Sequence, residues 1–157
     1  MPADDHILRK QLVEFVRGEG AHISLKEAVK DFPAKHYGAK PNGAPHSAWQ
    51  QLEHIRFTLR DLLDFCTNPE YTAPDWPKDY WPEAAAPSSK EAWDAAVRAV
   101  HEDMGAFEKL IGDPGSNLYA EIPWGDGQTL LREVLLAGDH TSYHLGQLVM
   151  LKKQLAD

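Results

Sequence analysis

Hydrophobic residues recur every three or four positions over four long stretches of the chain, and polar residues fill the positions between them. This spacing is typical of one face of an α-helix, whereas a half-buried strand alternates at every second position. The predicted helices run from about residue 4 to 17, from after "KPNGAP" to before "TNPEY", from "SSKE" to "IGDPG", and from about residue 128 to 155. No alternating β-branched run predicts a sheet. The pattern therefore predicts an all-α protein built as a four-helix bundle.

Two serine-to-glutamate spacings predict helix starts. In "SLKE", Ser24 and Glu27 have the spacing of a capping box, which predicts a short helix after the first long one. In "SSKE", Ser88 and Glu91 have the same spacing at the start of the third long helix. Each box would satisfy backbone N–H groups that have no partner within the helix.

Residues 68–87, between the second and third long helices, contain five prolines and four aromatic residues. Proline at this density excludes a helix, so we predict an irregular connection. The aromatic side chains of Trp76, Tyr80 and Trp81, with Trp124 of the "YAEIPWG" loop, are candidate walls of a cavity. The alternative is that they only cover the ends of the bundle.

The composition favours one domain over residues 1–157, because a chain of this length can bury a single sizeable core. The hydrophobic content of 43% is ordinary for a globular protein, and no run of about 18 apolar residues predicts a membrane span. The beginning, "MPADDHILRKQL", lacks the basic region of a signal peptide, and the single Cys66 fits a reducing compartment. We therefore expect a cytoplasmic protein with no membrane partner.

Charge argues against a nucleic-acid partner. The 24 acidic residues outnumber the 16 Lys and Arg residues, and the formal net charge is −8. The longest basic cluster is the "KK" of "LKK", so the positive surface that binds phosphate backbones is missing.

Two histidines, His140 and His144, stand in the apolar stripe of the last helix. Their spacing stacks them about 6 Å apart along the axis and about 40° apart around it, so both rings can converge on one ion. On the second helix, His54 precedes Ile55 of the packing seam and can turn its ring inward as a third ligand. Three histidines would leave coordination positions open, as catalytic metal sites do. Alternatively, each ring bonds a protein group of a neighbouring helix.

Two further residues are candidates for a catalytic role beside the histidines. Glu133 shares the stripe of the pair but lies two turns before His140. This position suits a residue that orients a metal ligand, or a charged residue at the end of the bundle, better than a direct ligand. Gln147 follows His144 by one turn and could hold a ring nitrogen, a bound water or a substrate. An ordinary polar residue at a helix boundary would look the same. Cys66 lies about 18 Å along the helix from His54, which argues against a nucleophilic role.

The segments "WQQLEHI" and "DHTSYHLGQLVMLKKQL" resemble the DinB/YfiT-like family of four-helix metalloproteins, and the resemblance extends over nearly the whole chain. In that family a histidine of the second helix joins both histidines of a His-x-x-x-His-x-Gly-Gln segment to bind a divalent metal. The resemblance places these ligands at His54, His140 and His144. Family members often carry an aromatic or polar residue at the position of His46, so a fourth contact from this histidine stays open.

The resemblance also implies a function. Characterised relatives include thiol-dependent transferases and an isomerase that uses a low-molecular-weight thiol. We therefore predict a metal-dependent enzyme that transfers a thiol to a small-molecule substrate or hydrolyses a small electrophile, and that forms a homodimer. We expect zinc or nickel as the metal, with iron, manganese or copper as alternatives. Imidazole ligands suit zinc, nickel, iron and copper alike, so the ligand type does not choose among them. Two other hypotheses stay open: a non-catalytic, metal-stabilised dimeric binding or scaffold protein, and a small-molecule binding module without a metal.

Overall fold

A computed structural model describes residues 3–41 and 43–156 of the chain, with side chains from residue 5 onward. This part of the chain forms five α-helices: α1 (Ala3–Val16), α2 (Leu25–Val29), α3 (Ala48–Thr67), α4 (Lys90–Gly112) and α5 (Leu130–Gln154). It contains no β-strand, only an isolated bridge between Glu121 and Thr129. The all-α prediction is confirmed: the four long helices match the predicted stretches, and α2 is the short one.

Side-chain caps explain where α2 and α3 begin. The Ser24 hydroxyl accepts a hydrogen bond from the Glu27 N–H, and the Glu27 carboxylate accepts one from the Ser24 N–H, as predicted. Ser47 and Gln50 form a second capping box at the start of α3, which the sequence analysis missed because glutamine takes the place of glutamate. Both boxes satisfy amide groups that the first helical turn leaves without partners.

The capping box predicted at Ser88 and Glu91 is wrong. The N-cap of α4 is Ser89, whose hydroxyl accepts a hydrogen bond from the Ala92 N–H. The helix therefore begins one residue later than predicted. The third helical position is then Ala92, whose methyl group cannot accept a hydrogen bond from the Ser89 N–H. The start of α4 therefore has the bond to the serine hydroxyl but not the returning bond of a capping box.

The core lies between α3, α4 and α5, and α1 packs against α4 and α5 on the other side. The seam predicted for the second long helix is buried from Ala48 to Leu62, and each large side chain removed from water contributes about 1.5–3 kcal/mol. None of the described helices is both long and apolar enough to cross a membrane. The buried residues that bring α3 against its neighbours are Leu52, Ile55, Leu59, Val100, Phe107, Val134 and Leu148.

The proline-rich segment of residues 68–87 contains no α-helix and only one 3₁₀ turn, at Lys78–Tyr80. It lies along α3 because side chains of that helix bind it at several points. The carboxylate of Asp61 accepts hydrogen bonds from the hydroxyls of Tyr71, at 2.8 Å, and Tyr80, at 2.6 Å. The segment is thus tied to the C-terminal half of α3.

The N-terminal half of α3 binds the other end of the same segment. The Ser47 hydroxyl donates to the carbonyl of Ala85, and the Gln50 amide donates to the carbonyl of Pro82 at 3.0 Å. Spacings of three, four and seven place these groups along one side of the helix. This polar face of α3, which carries the segment, consists of Ser47, Gln50, His54 and Asp61.

Candidate metal centre

Three histidine rings meet where α3 faces α5. His54 comes from α3, and His140 and His144 come from successive turns of α5. One nitrogen of each ring can be chosen so that all three lie within 4.8 Å of one another. His54 is 1% exposed and His144 is 6% exposed, so the cluster lies inside the bundle. The structure thus brings together the three histidines that the sequence analysis predicted as metal ligands.

In two of the rings the outer nitrogen, Nδ1, is bound to a carbonyl oxygen. His54 Nδ1 lies 2.8 Å from the backbone oxygen of Tyr80, and His144 Nδ1 lies 2.7 Å from Oε1 of Gln51. A carbonyl oxygen only accepts, so each Nδ1 carries the proton and donates it. Each Nε2 is then left with a free lone pair. This is the arrangement by which outer-shell groups prepare histidines for a metal ion.

The third ring, His140, is held less firmly. Its Nε2 lies 3.0 Å from Nε2 of His54, and its buried Nδ1 has no hydrogen-bond partner among the described residues. Two ligands at about 2.0–2.1 Å from a tetrahedral ion are separated by about 3.3 Å, so the observed distance is close to that of two ligands sharing one cation. The residues present therefore fit a divalent metal.

Burial keeps the three imidazoles neutral. Desolvation, followed by the effect of the neighbouring histidines, lowers the pKa of His140 to about 4 and that of His144 to about 3. Burial also lowers the pKa of His54, although its bond to the Tyr80 carbonyl acts in the opposite direction. Neutral imidazole is the form that binds metal ions, so no proton has to leave these rings at neutral pH.

His46 is separated from the cluster by Trp81. The indole of Trp81 stacks on His54 at 3.8 Å between ring centroids, and His46 stacks on the same indole at 3.7 Å. Both imidazoles are nearly parallel to the indole, and two rings cannot share one face at this distance. Trp81 therefore lies between them, and His46 is outside the group of three that could hold an ion.

Three of the four predicted wall aromatics surround His54. Trp81 covers one face, and the rings of Trp76 and Tyr80 lie 6.4 Å from His54 between centroids. The fourth, Trp124, lies elsewhere and donates its indole N–H to the Phe65 carbonyl near the end of α3. The proline-rich segment thus supplies aromatic cover for the histidine cluster.

A sequence model of the DinB superfamily matches residues 20–148, which include all three clustered histidines. The chain belongs to the DinB superfamily. No curated protein and no solved structure matches the chain. The family resemblance predicted from the motifs is confirmed, and the DinB match ends after the second histidine of α5.

In this DinB chain, Gln147 lies beside the cluster and Glu133 has other partners. The Gln147 side-chain oxygen accepts from Gln51 at 2.7 Å, and its amide nitrogen lies 3.5 Å from His144 Nδ1. The Glu133 carboxylate is buried and pairs with Arg132, and in the described part of the chain it has no bond to a histidine ring. Glu133 lines a separate depression of about 460 Å³. The catalytic roles of both residues stay predictions.

Two orienting groups of the DinB site were missed by the sequence analysis. Gln51 is 1% exposed and stands beside the apolar seam of α3, three residues before His54. A polar residue at an interior position needs a partner, and that signal could have identified it. The Tyr80 carbonyl leaves no signal in a sequence, because every residue has a backbone carbonyl.

The single cysteine is not activated. Burial, with a smaller effect of the nearby Glu133 carboxylate, raises the pKa of the half-buried Cys66 thiol to about 12. The thiolate is the nucleophilic form, and it is scarce at neutral pH when the pKa is this high. This finding supports the prediction that Cys66 is not the nucleophile of the DinB site.

Proposed function

We propose that this DinB superfamily chain is a metal-dependent enzyme whose divalent ion is held by His54, His140 and His144. The observation that carries the proposal is the convergence of three neutral rings on one point, two of them with their outer nitrogens bound to carbonyl oxygens. Three protein ligands leave at least one position for water or substrate in a four-coordinate ion. A closed structural site would use a fourth protein ligand.

The reaction we propose is the transfer of a low-molecular-weight thiol to a small electrophile, or the hydrolysis of one. The ion would supply an activated nucleophile from thiol or water at neutral pH, together with Lewis-acid polarisation of the electrophile. In support, the chain's own thiol is half-buried and has a raised pKa, so it does not compete as the nucleophile.

The protein side chains have separate tasks in this proposal. Gln51 and the Tyr80 carbonyl hold the rings of His144 and His54 in the tautomer that can ligate. Trp81 and the other aromatics of the proline-rich segment exclude water from one side of the cluster. Gln147 is placed to orient a substrate, and imidazole ligands accept zinc or nickel, the metals we propose.

Elemental analysis of the purified protein tests the metal. We expect about one equivalent of a divalent ion per chain in the wild type and almost none in the His140→Ala, His144→Ala double variant. Equal metal content in both proteins would contradict the proposal.

A thiol-consumption assay tests the reaction. The wild type, loaded with zinc or nickel, is mixed with a low-molecular-weight thiol and a panel of electrophiles, and with the electrophiles alone for hydrolysis. We expect turnover that disappears with a chelator and in the double variant. Metal binding without turnover on any substrate would instead support the non-catalytic, metal-stabilised alternative.

A further inference from the structure

A small surface cavity, open to solvent, lies beside the histidine cluster, between the start of α3 and one side of α5. Its volume is about 270 Å³. Its lining contains apolar surface from Met150 and Leu151 and amide groups from Gln51 and Gln147. No Asp, Glu, Lys or Arg of the described residues is part of the lining. The one titratable imidazole of the lining is His46, whose pKa burial lowers, so a charged ligand gains no fixed opposite charge from these walls.

A chain of hydrogen bonds leads from His144 to this cavity. His144 Nδ1–H donates to Oε1 of Gln51, at 2.7 Å, and Nε2 of Gln51 donates to Oε1 of Gln147, also at 2.7 Å. These two bonds fix the orientation of both amides. Because Oε1 of Gln147 already accepts the hydrogen bond from Gln51, the NH₂ group of Gln147 is the last donor in this series of hydrogen bonds.

The Gln147 NH₂ group has no acceptor among the described residues. The nearest candidate is His144 Nδ1 at 3.5 Å, but that nitrogen carries the proton that it gives to Gln51 and cannot accept. Gln147 is half-buried and lines the cavity. A donor in this position takes its bond from whichever acceptor enters the cavity, water or a ligand oxygen.

We propose that the cavity binds an uncharged small molecule whose carbonyl or hydroxyl oxygen accepts a hydrogen bond from the Gln147 NH₂ group. Its apolar body packs against Met150 and Leu151. This proposal rests on the proposed function in one respect: if the chain is the proposed enzyme, the cavity is its substrate site, and the substrate is a neutral molecule.

Three probes of nearly equal shape test the preference for a neutral ligand: benzamide, benzoate and benzylammonium. Each is titrated into protein with ¹³C-labelled methionine methyl groups, both metal-free and zinc-loaded. We expect benzamide to shift the Met150 methyl resonance, with benzoate and benzylammonium binding at least about tenfold more weakly, because a charge has no partner there. The Met104 methyl group lies along a different depression and serves as an internal control.

Variants test the role of the amide. Gln147→Leu should weaken benzamide binding by about fivefold, the range expected when one neutral hydrogen bond is lost. Gln147→Glu replaces the donor with a carboxylate and should shift the preference to benzylammonium. Gln154→Leu removes another amide at the cavity and should keep the preference for benzamide. The methionine spectrum of each variant shows whether it is folded.

Three outcomes would overturn the proposal. The first is no benzamide binding up to about 10 mM, the range of weak fragments. The second is benzoate or benzylammonium binding as tightly as benzamide, and the third is unchanged benzamide binding in a folded Gln147→Leu variant. The metal-free titration separates this proposal from the proposed function. Selective benzamide binding without metal uptake or turnover would leave the cavity as a ligand site and refute the enzyme. Turnover without selective binding would refute the cavity alone.

Discussion

At the scale of single residues, the histidine cluster depends on the atoms that hold the outer nitrogens of its rings. For His54 that atom is the backbone carbonyl of Tyr80, which no substitution removes directly. For His144 it is the side chain of Gln51, which is almost completely buried. Gln51 is therefore the position where the orienting role can be separated from metal ligation itself.

We expect Gln51→Leu to weaken zinc binding by about 10–100-fold, because His144 loses the acceptor that fixes its tautomer and ring orientation. Gln51→Glu is the matched control: it keeps an oxygen acceptor for His144 Nδ1 and should bind zinc at least as tightly as the wild type. Competition with a chromophoric chelator measures both dissociation constants. Equal affinities of the leucine variant and the wild type would show that Gln51 does not orient the ligand.

At the scale of secondary structure, α3 has an apolar face and a polar face, and each contacts a different part of the protein. Its apolar seam, which includes Leu52, Ile55 and Leu59, packs into the core. Its polar face binds the proline-rich segment and contributes His54. One helix thus places His54 and also holds the segment whose carbonyl orients the His54 ring. Ser47 begins this helix and has two tasks, because its hydroxyl accepts from the Gln50 N–H and donates to the Ala85 carbonyl.

We expect Ser47→Ala to lower the free energy of unfolding by about 1–2 kcal/mol, because it removes a helix cap and leaves buried backbone groups without partners. Ser89→Ala is the comparison: it removes the cap of α4, an exposed serine whose hydroxyl bonds the nearby Ala92 N–H. We expect a loss of about 0.5–1 kcal/mol there, because water replaces the missing bond. Urea unfolding followed by circular dichroism measures both. A larger loss for Ser89→Ala would contradict this account of α3.

At the scale of the whole molecule, the three clustered histidines come from two packed helices, so an ion bound by all three would also hold α3 against α5. The rings of His140 and His144 stay neutral in the folded protein because burial lowers their pKa values to about 4 and about 3. In the unfolded chain both return to about 6.5. Their contribution to stability is therefore complete above about pH 6.5 and is lost as the pH falls.

We expect the metal-free protein to lose stability as the pH falls from about 6.5 to about 4. Over this range the unfolded chain takes up protons that the folded chain cannot, so the free energy of unfolding decreases with decreasing pH. The His140→Ala, His144→Ala double variant should show a shallower decrease, since it lacks two of the groups responsible. Urea unfolding at several pH values, with a chelator present, measures the slopes. Parallel curves for the two proteins would refute this assignment.

The sequence by itself determined the all-α class, the approximate extent of the four long helices and the pairing of His140 with His144. These features follow from contacts within a few residues, which helical geometry fixes wherever the helix forms. The assignment of His54 as a third ligand came from its position beside the seam and from the family resemblance. The error at the start of α4 is also local: two adjacent serines offer the same cap, and the choice between them depends on packing.

The tertiary structure alone decided how the rings are held. The bond between Gln51 and His144 joins residues 93 positions apart, and the bond between His54 and the Tyr80 carbonyl crosses an irregular segment. The placement of Trp81 between His46 and His54 depends on the same segment. Periodicity carries no information about such contacts, because a loop without a repeating pattern can bring any of its atoms to a helix. They form only when the packed core has set α3 against α5 and the polar face of α3 has bound the segment.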